Sequence, residues 1–228
     1  MCYSVESSVK TSALSLFAII YLLLSGNPHF KWLAIALLGW CMMQFAELLL
    51  WLTDPRSGCT DTNKLITFTL IPLALTLQPL GFLFGSLYAI PWAKSSDFRK
   101  HFIVWYSVFI LALVYYIQYY KPQKLCTTVT EKGHLYWYTD MGETQGSPIS
   151  IFGYFVWFFL LVLPIFLFWN KSYLPIFLII LLPLYGFLNG FLDTDSRSSI
   201  WCYYTSYDSV LCSVMLLLKQ MGIYNVLV

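Results

Sequence analysis

Long apolar runs separated by short polar breaks dominate this chain. A helix that crosses a bilayer needs roughly 20 mostly apolar residues. Seven runs answer to that description: 8–25, 32–52, 65–90, 101–120, 149–169, 173–192 and 200–219. The breaks SGNPHFK, TDPRSGCTDTNK, PWAKSSDFRK, WNKS and DTDSRSS carry turn chemistry. The one long connection, 121–148, contains TTV and LYWYT pieces with strand propensity, which predict a small hairpin over one end of the bundle. The first run is the weakest, because its apolar core Ala13–Leu24 is short and its beginning is rich in Ser. A cleaved leader is the rival reading there. Lys10 balanced by Glu6, and SGNP as a poor cleavage site, favour a span.

Composition sharpens the class. Of the 228 residues, 59% are hydrophobic and 11% charged, where a soluble domain carries roughly 25% charged residues. Too little polar surface remains to cover a water-soluble globule. The expected fold is therefore all-α, a polytopic seven-transmembrane-helix bundle forming a single integral membrane domain over residues 1–228. The lipid bilayer is its expected partner. The basic residues are scattered, with no basic run, so nucleic acid is not expected as a partner. The densest basic cluster beside span ends is AKSSDFRK. Basic residues mark the cytoplasmic side, which predicts the N-terminus out and the C-terminus in. The sequon Asn170-Lys171-Ser172 then falls in a cytoplasmic loop, so a glycan there would contradict this orientation. The sequence leaves open whether the membrane is plasma membrane, endomembrane or virion membrane, and what the oligomeric state is.

The cysteines give an independent reading. Cys41 and Cys212 fall within spans, where small apolar packing is their ordinary role. The other four, Cys2, Cys59, Cys126 and Cys202, all fall on the face expected to be external. Disulfides persist in oxidising compartments. Of the three pairings that four cysteines permit, Cys59–Cys126 with Cys2–Cys202 is favoured.

Candidate chemistry centres on two carboxyl groups inside apolar runs, Glu47 in CMMQFAELLLWL and Asp208 in WCYYTSYDSVLCSVMLLL. A carboxylate in hydrocarbon costs at least about 2.5–3.5 kcal/mol near a helix centre, so such residues usually face a protein interior or a water-filled cavity. Counted at about 1.5 Å per residue from the outer span ends, both reach similar depths in the outer half. Gln44 shares a helical face with Glu47, Gln78 lies near mid-membrane, and Asn189 and Tyr207 sit near the level of the carboxyls. An outward-opening polar cavity is the simplest arrangement of these groups. Pro72, Pro79, Pro164, Pro175 and Pro183 are expected to kink their helices and free backbone carbonyls. Gly186 and Gly190 suit close helix packing.

Other chemistries lack their motifs. His29, His101 and His134 lie in loops or at span ends, without HExxH or metal spacing. There is no GxSxG elbow and no Gly-rich phosphate loop, so no cofactor is implied. An enzyme is not expected, although Glu47 and Asp208 as an intramembrane acid/base pair is the reading an enzyme would need.

Seven spans with a cysteine link from the loop before span three to the loop after span four look like a G-protein-coupled receptor in arrangement. The sequence AIPWAKSSD supplies no DRY-like triplet, however, and span seven has no NPxxY. Lys219 at the end of span seven is badly placed for a rhodopsin-type Schiff base. MCYS, MQFAELLLW, the QP of span three and SSIWCYY resemble an uncharacterised family of seven-span membrane proteins of large DNA viruses and some protists. That resemblance implies a viral or host endomembrane setting and no activity. The expected function is a channel or transporter for protons, ions or a small solute, with Glu47 and Asp208 titrating and Gln44, Gln78, Asn189 and Tyr207 along the pathway. The alternative is a non-enzymatic receptor-like or virion/host-membrane structural protein.

Overall fold

The computed structural model describes residues 4–120, 126–137, 148–169, 180–186, 188–189 and 197–222. The elements are α1 (Val5–Leu23), α2 (Pro28–Leu52), α3 (Asp61–Ala89), a 3-10 turn (Trp92–Lys94), α4 (Asp97–Tyr120), β1 (Thr128–Val129), β2 (Leu135–Tyr136), α5 (Pro148–Phe168), α6 (180–186), α7 (Arg197–Ser206) and α8 (Asp208–Gln220). The fold is a helical bundle carrying one small antiparallel hairpin. Among the described residues four helices, α1 to α4, are long and apolar enough to cross a membrane by length and composition, and α5 contributes the shorter apolar stretch Phe155–Phe168. Much of the expected sixth run, including Pro175 and Gly190, lies outside the described residues.

The helices begin a few residues before the apolar runs because polar loop residues cap them. Ser4 accepts from the Ser7 N–H, Asn27 from the His29 N–H, and Thr60 from the Asn63 N–H. Pro28 occupies the first turn of α2, where its missing N–H removes nothing. Between α2 and α3, Asp54 takes a left-handed φ of 50°, and Ser57 N–H bonds back to its carbonyl. Asp tolerates that conformation better than most residues.

Helix α1 turns its polarity inward. Ser8, Thr11 and Ser15 are buried, whereas Leu14, Leu16 and Ile20 are exposed and Phe17 is 74% exposed. A helix on a water-soluble core places these groups the other way round. Val104, Trp105, Val108 and Phe109 of α4 likewise face outward.

The α2–α3 pair is the most extensive contact, and glycine makes it close. A Cβ on Gly39 would stand 2.3 Å from the Leu77 carbonyl oxygen, and one on Gly85 would stand 2.6 Å from Trp32. Gly81 meets Ile35 and Ala36 in the same seam, so Gly81 and Gly85 form a small-xxx-small face. Trp32 Nε1 donates to the Phe82 carbonyl at 2.7 Å. Helix α3 runs on through Pro72 and Pro79, and α5 through Pro164. The close-packing role expected of Gly186 is met against Tyr204 of α7.

At one end of the bundle, Cys59 and Cys126 form the disulfide expected from the sequence, with Cα atoms 5.5 Å apart and a sequence separation of 67. It fixes the predicted hairpin, whose register pairs Thr128 with Tyr136 and Val129 with Leu135. Asn63 of α3 then reads the strand as a neighbouring strand would. Its Oδ1 accepts from the Thr127 N–H at 2.9 Å and its Nδ2 donates to the Thr127 carbonyl at 3.0 Å. Thr67 adds a 2.8 Å bond between hydroxyls, and Asn63, Thr67 and Thr127 are all buried. Cys2, the expected partner of Cys202, lies outside the described residues.

At the opposite end Arg99 is buried at the start of α4. Its guanidinium donates to the Ser86 and Ile90 carbonyls and to the Ser86 hydroxyl, and lies 4.8 Å from the Phe168 ring centroid. A cation there meets the carbonyl-rich end of α3, which favours positive charge.

Candidate functional site

The polar residues of α1, α2, α7 and α8 converge on one buried seam. Residues 8, 11, 12 and 15 recur at helical spacing, so the α1 hydroxyls form a single stripe. Gln44, fully buried on α2, is the hub. Its Oε1 accepts from the Thr11 hydroxyl at 3.2 Å, and its Nε2 donates to the Cys202 carbonyl of α7. One turn further, the Ser15 hydroxyl donates to the Ser206 carbonyl at 2.9 Å. Beyond it Ser213 donates to the Ala18 carbonyl at 3.2 Å, and Tyr21 to Gln220 at 2.5 Å. Partners advance together along both chains, so α1 and α7–α8 run parallel. Both are antiparallel to α2.

The seventh apolar run, expected as one helix over 200–219, is two helices joined at Tyr207. Tyr207 N–H bonds back three residues to Tyr204 at 3.2 Å. The cause is local. Thr205, Ser206 and Ser209 each turn a hydroxyl onto the carbonyl three residues back, competing with the regular helical bonds. The Ser206 carbonyl at the break accepts from both Ser15 and Ser209.

Asp208 stands at the first position of α8, directly after this break. It is fully buried, and neither carboxyl oxygen has a hydrogen-bond partner among the described residues. Trp201, Thr205, Asp208 and Cys212 are spaced to share a face, and all four are buried. The Trp201 ring packs against Trp40 and Phe158, so that face looks into the bundle. Ser8 and Ser12 of the α1 stripe also have buried hydroxyls without a hydrogen-bond partner among the described residues.

Glu47 is fully buried on α2, one turn beyond Gln44. The Gln44–Cys202 bond sets the register between α2 and α7, and it separates the two carboxyls. At about 1.5 Å per residue, Glu47 lies about 4.5 Å toward the hairpin end of that bond and Asp208 about 9 Å the other way. By this count the backbone positions of the two residues are offset by about 13 Å along the axis, where similar depth was expected from the sequence. The reason is that α7 sits deeper against α2 than a count from each span's own end allows.

The remaining expected residues scatter. Gln78 is buried on α3. Asn189 is half-buried, with its amide donating to the Tyr185 carbonyl of α6 at 2.8 Å. Tyr207 is 37% exposed, and its hydroxyl meets Tyr203 at 3.3 Å. The structure thus brings Gln44 into contact with α1 and α7, and seals both carboxyls from solvent. The α1 stripe and Arg99 had not been singled out, although the 8, 11, 12, 15 spacing was a readable signal. No protein-family model, curated protein or solved structure matches the chain.

Proposed function

We propose that this chain is a multi-pass membrane protein that moves protons, other ions or a small solute across the bilayer. The observation that carries the reading is Asp208: a carboxyl sealed in an apolar bundle, at an interruption between two helical segments. The irregular hydrogen bonding at Tyr207, whose dihedrals stay helical, is a milder form of the interruption found where membrane transporters bind ions. An ionisable residue kept at such depth is costly and points to function.

The inverted polarity of α1 supports lipid as the solvent around the helices. The parallel course of α1 and α7–α8 fits an odd number of crossings, seven in the proposed topology. The Cys59–Cys126 bond at the hairpin end fits an external placement of that end, with the N-terminus outside and the Arg99 end inside. Glu47 and Asp208, both without solvent contact, then correspond to an occluded arrangement with one station on each side of Gln44.

The test is flux into liposomes reconstituted with the purified chain, measured against a pH gradient and with common ions and small solutes. The proposal requires a pH-dependent flux that falls in Asp208→Asn and Glu47→Gln while the fold is retained. A folded protein that moves nothing would favour a receptor-like or membrane-structural role in a virion or host membrane.

A further inference from the structure

We infer that the ion handled at the α7–α8 break is the proton, carried on the Asp208 carboxyl itself, and not a metal cation. This rests on the transport reading above and names its substrate.

Two features of the break decide the matter. The first is the fate of the charge. An ionised carboxylate buried without a cation loses its solvation with nothing of like strength in return. The dipole at the start of α8 returns only a small part of that. The basic residues spaced to share its face with Trp201, Thr205 and Cys212, Arg197 and Lys219, lie at the far ends of α7 and α8, each about 16 Å away along the axis. Desolvation wins, and the neutral acid is the form this site holds at rest.

The second is the company of oxygens. A metal cation stripped of water needs a shell of oxygen ligands. Four carbonyls of the seam are already engaged. Ser206 accepts from Ser15 and Ser209, Cys202 from Gln44 and Thr205, Ser209 from Ser213, and Ala18 from Ser213. On α7 and α8 the buried side-chain oxygens without a hydrogen-bond partner among the described residues are the two of Asp208. Two oxygens suffice for a proton and fall short of a cation shell.

The described titratable neighbours are few. On α8 they are Cys212, one turn on, and Lys219, whose ammonium lies over the Phe30 ring at 5.8 Å. Helix α7 offers Cys202, Tyr203 and Tyr204, and α2 offers Cys41 and the distant Glu47. Helix α1 presents only Tyr21 near the far end, because Glu6 and Lys10 pair with each other in the open. The transfer balances simply. A proton from water on one side adds to the Asp208 carboxylate, and the same proton leaves to water on the other side when the break opens.

The experiment has two arms on the same reconstituted protein. Liposomes holding a pH-sensitive dye are given a membrane potential, and internal pH is followed with sodium, potassium or an impermeant organic cation outside. Separately, infrared difference spectra at neutral pH read the carbonyl stretch of a protonated carboxyl. Expected are proton flux that does not depend on the metal cation, and a carboxyl band indifferent to sodium. Both should be lost in Asp208→Asn, with flux falling to the level of empty liposomes. Asp208→Glu, which keeps the acid, should retain flux and so guards against a folding defect in the amide variant. Asp208-dependent sodium or potassium flux, or a band that sodium abolishes, overturns the proton assignment and leaves the transport reading standing. No flux of any kind, with the band present, overturns the transport reading and this inference with it.

Discussion

The hairpin clamp and the α1–α2–α7–α8 seam are built from the same materials, buried Ser, Thr, Asn and Gln, and they finish differently. Around Thr127 the accounts close. Asn63 uses both ends of its amide on one residue's backbone, Thr67 fills in, and a disulfide holds the strand in place. Along the seam they do not. Gln44 and Ser15 are satisfied, yet Ser8, Ser12 and Asp208 keep buried polar atoms without hydrogen-bond partners among the described residues. Leaving such an atom unpaired costs about 1–3 kcal/mol. At Asn63, Thr67 and Thr127 none of this cost is carried, and that corner is organised for rigidity, although Trp137 Nε1 beside it is buried without a hydrogen-bond partner among the described residues. A region that carries several such atoms keeps a cost that the proposed transport role would explain.

That contrast can be broken at graded points. Replacing Cys59 and Cys126 by Ser should cost the most, about 4 kcal/mol for a loop of this length in the chain-entropy model, seen as a lower melting temperature in detergent. Asn63→Ala strips the Thr127 carbonyl of its donor and should cost roughly 2–3 kcal/mol by the same measurement. The hairpin amides should also exchange faster with deuterium. Ser15→Ala should cost about 1 kcal/mol, because Ser209 still serves the Ser206 carbonyl. Asp208→Asn should change stability least, by under about 1 kcal/mol, since one neutral buried polar group replaces another. A loss at Asp208 as large as that at Asn63 would erase the distinction between the two regions and make the carboxyl a structural part.

Much of the frame was legible in the sequence. The hairpin followed from TTV and LYWYT, the Cys59–Cys126 pair from the segregation of cysteines, and the helical runs from hydropathy. Glu47, Gln44 and Asp208 stood out because polar groups are rare in such runs, and all three are buried. Their mutual placement was not legible. Depth was counted from the end of each apolar run, and nothing in a sequence says how far one helix slides against another. The Gln44–Cys202 bond settles that slide. The break at Tyr207 was hidden for a related reason: hydropathy averages over Thr205, Ser206 and Ser209, whereas their hydroxyls act one carbonyl at a time. The Gly81–Gly85 seam was written in the sequence and overlooked beside the more conspicuous prolines of α3.

The bonds from α1 to α7–α8 join residues 191, 195 and 199 apart in the chain. A ribosome adding about 5–20 residues per second makes α1 roughly 10–40 s before its partner exists. Through that interval the hydroxyl stripe of α1 has only α2 to lean on. Assembly therefore has a built-in order, in which the earliest helix is the last to be fully sheltered. The bundle closes as a clasp closes, when its far end returns to its near one.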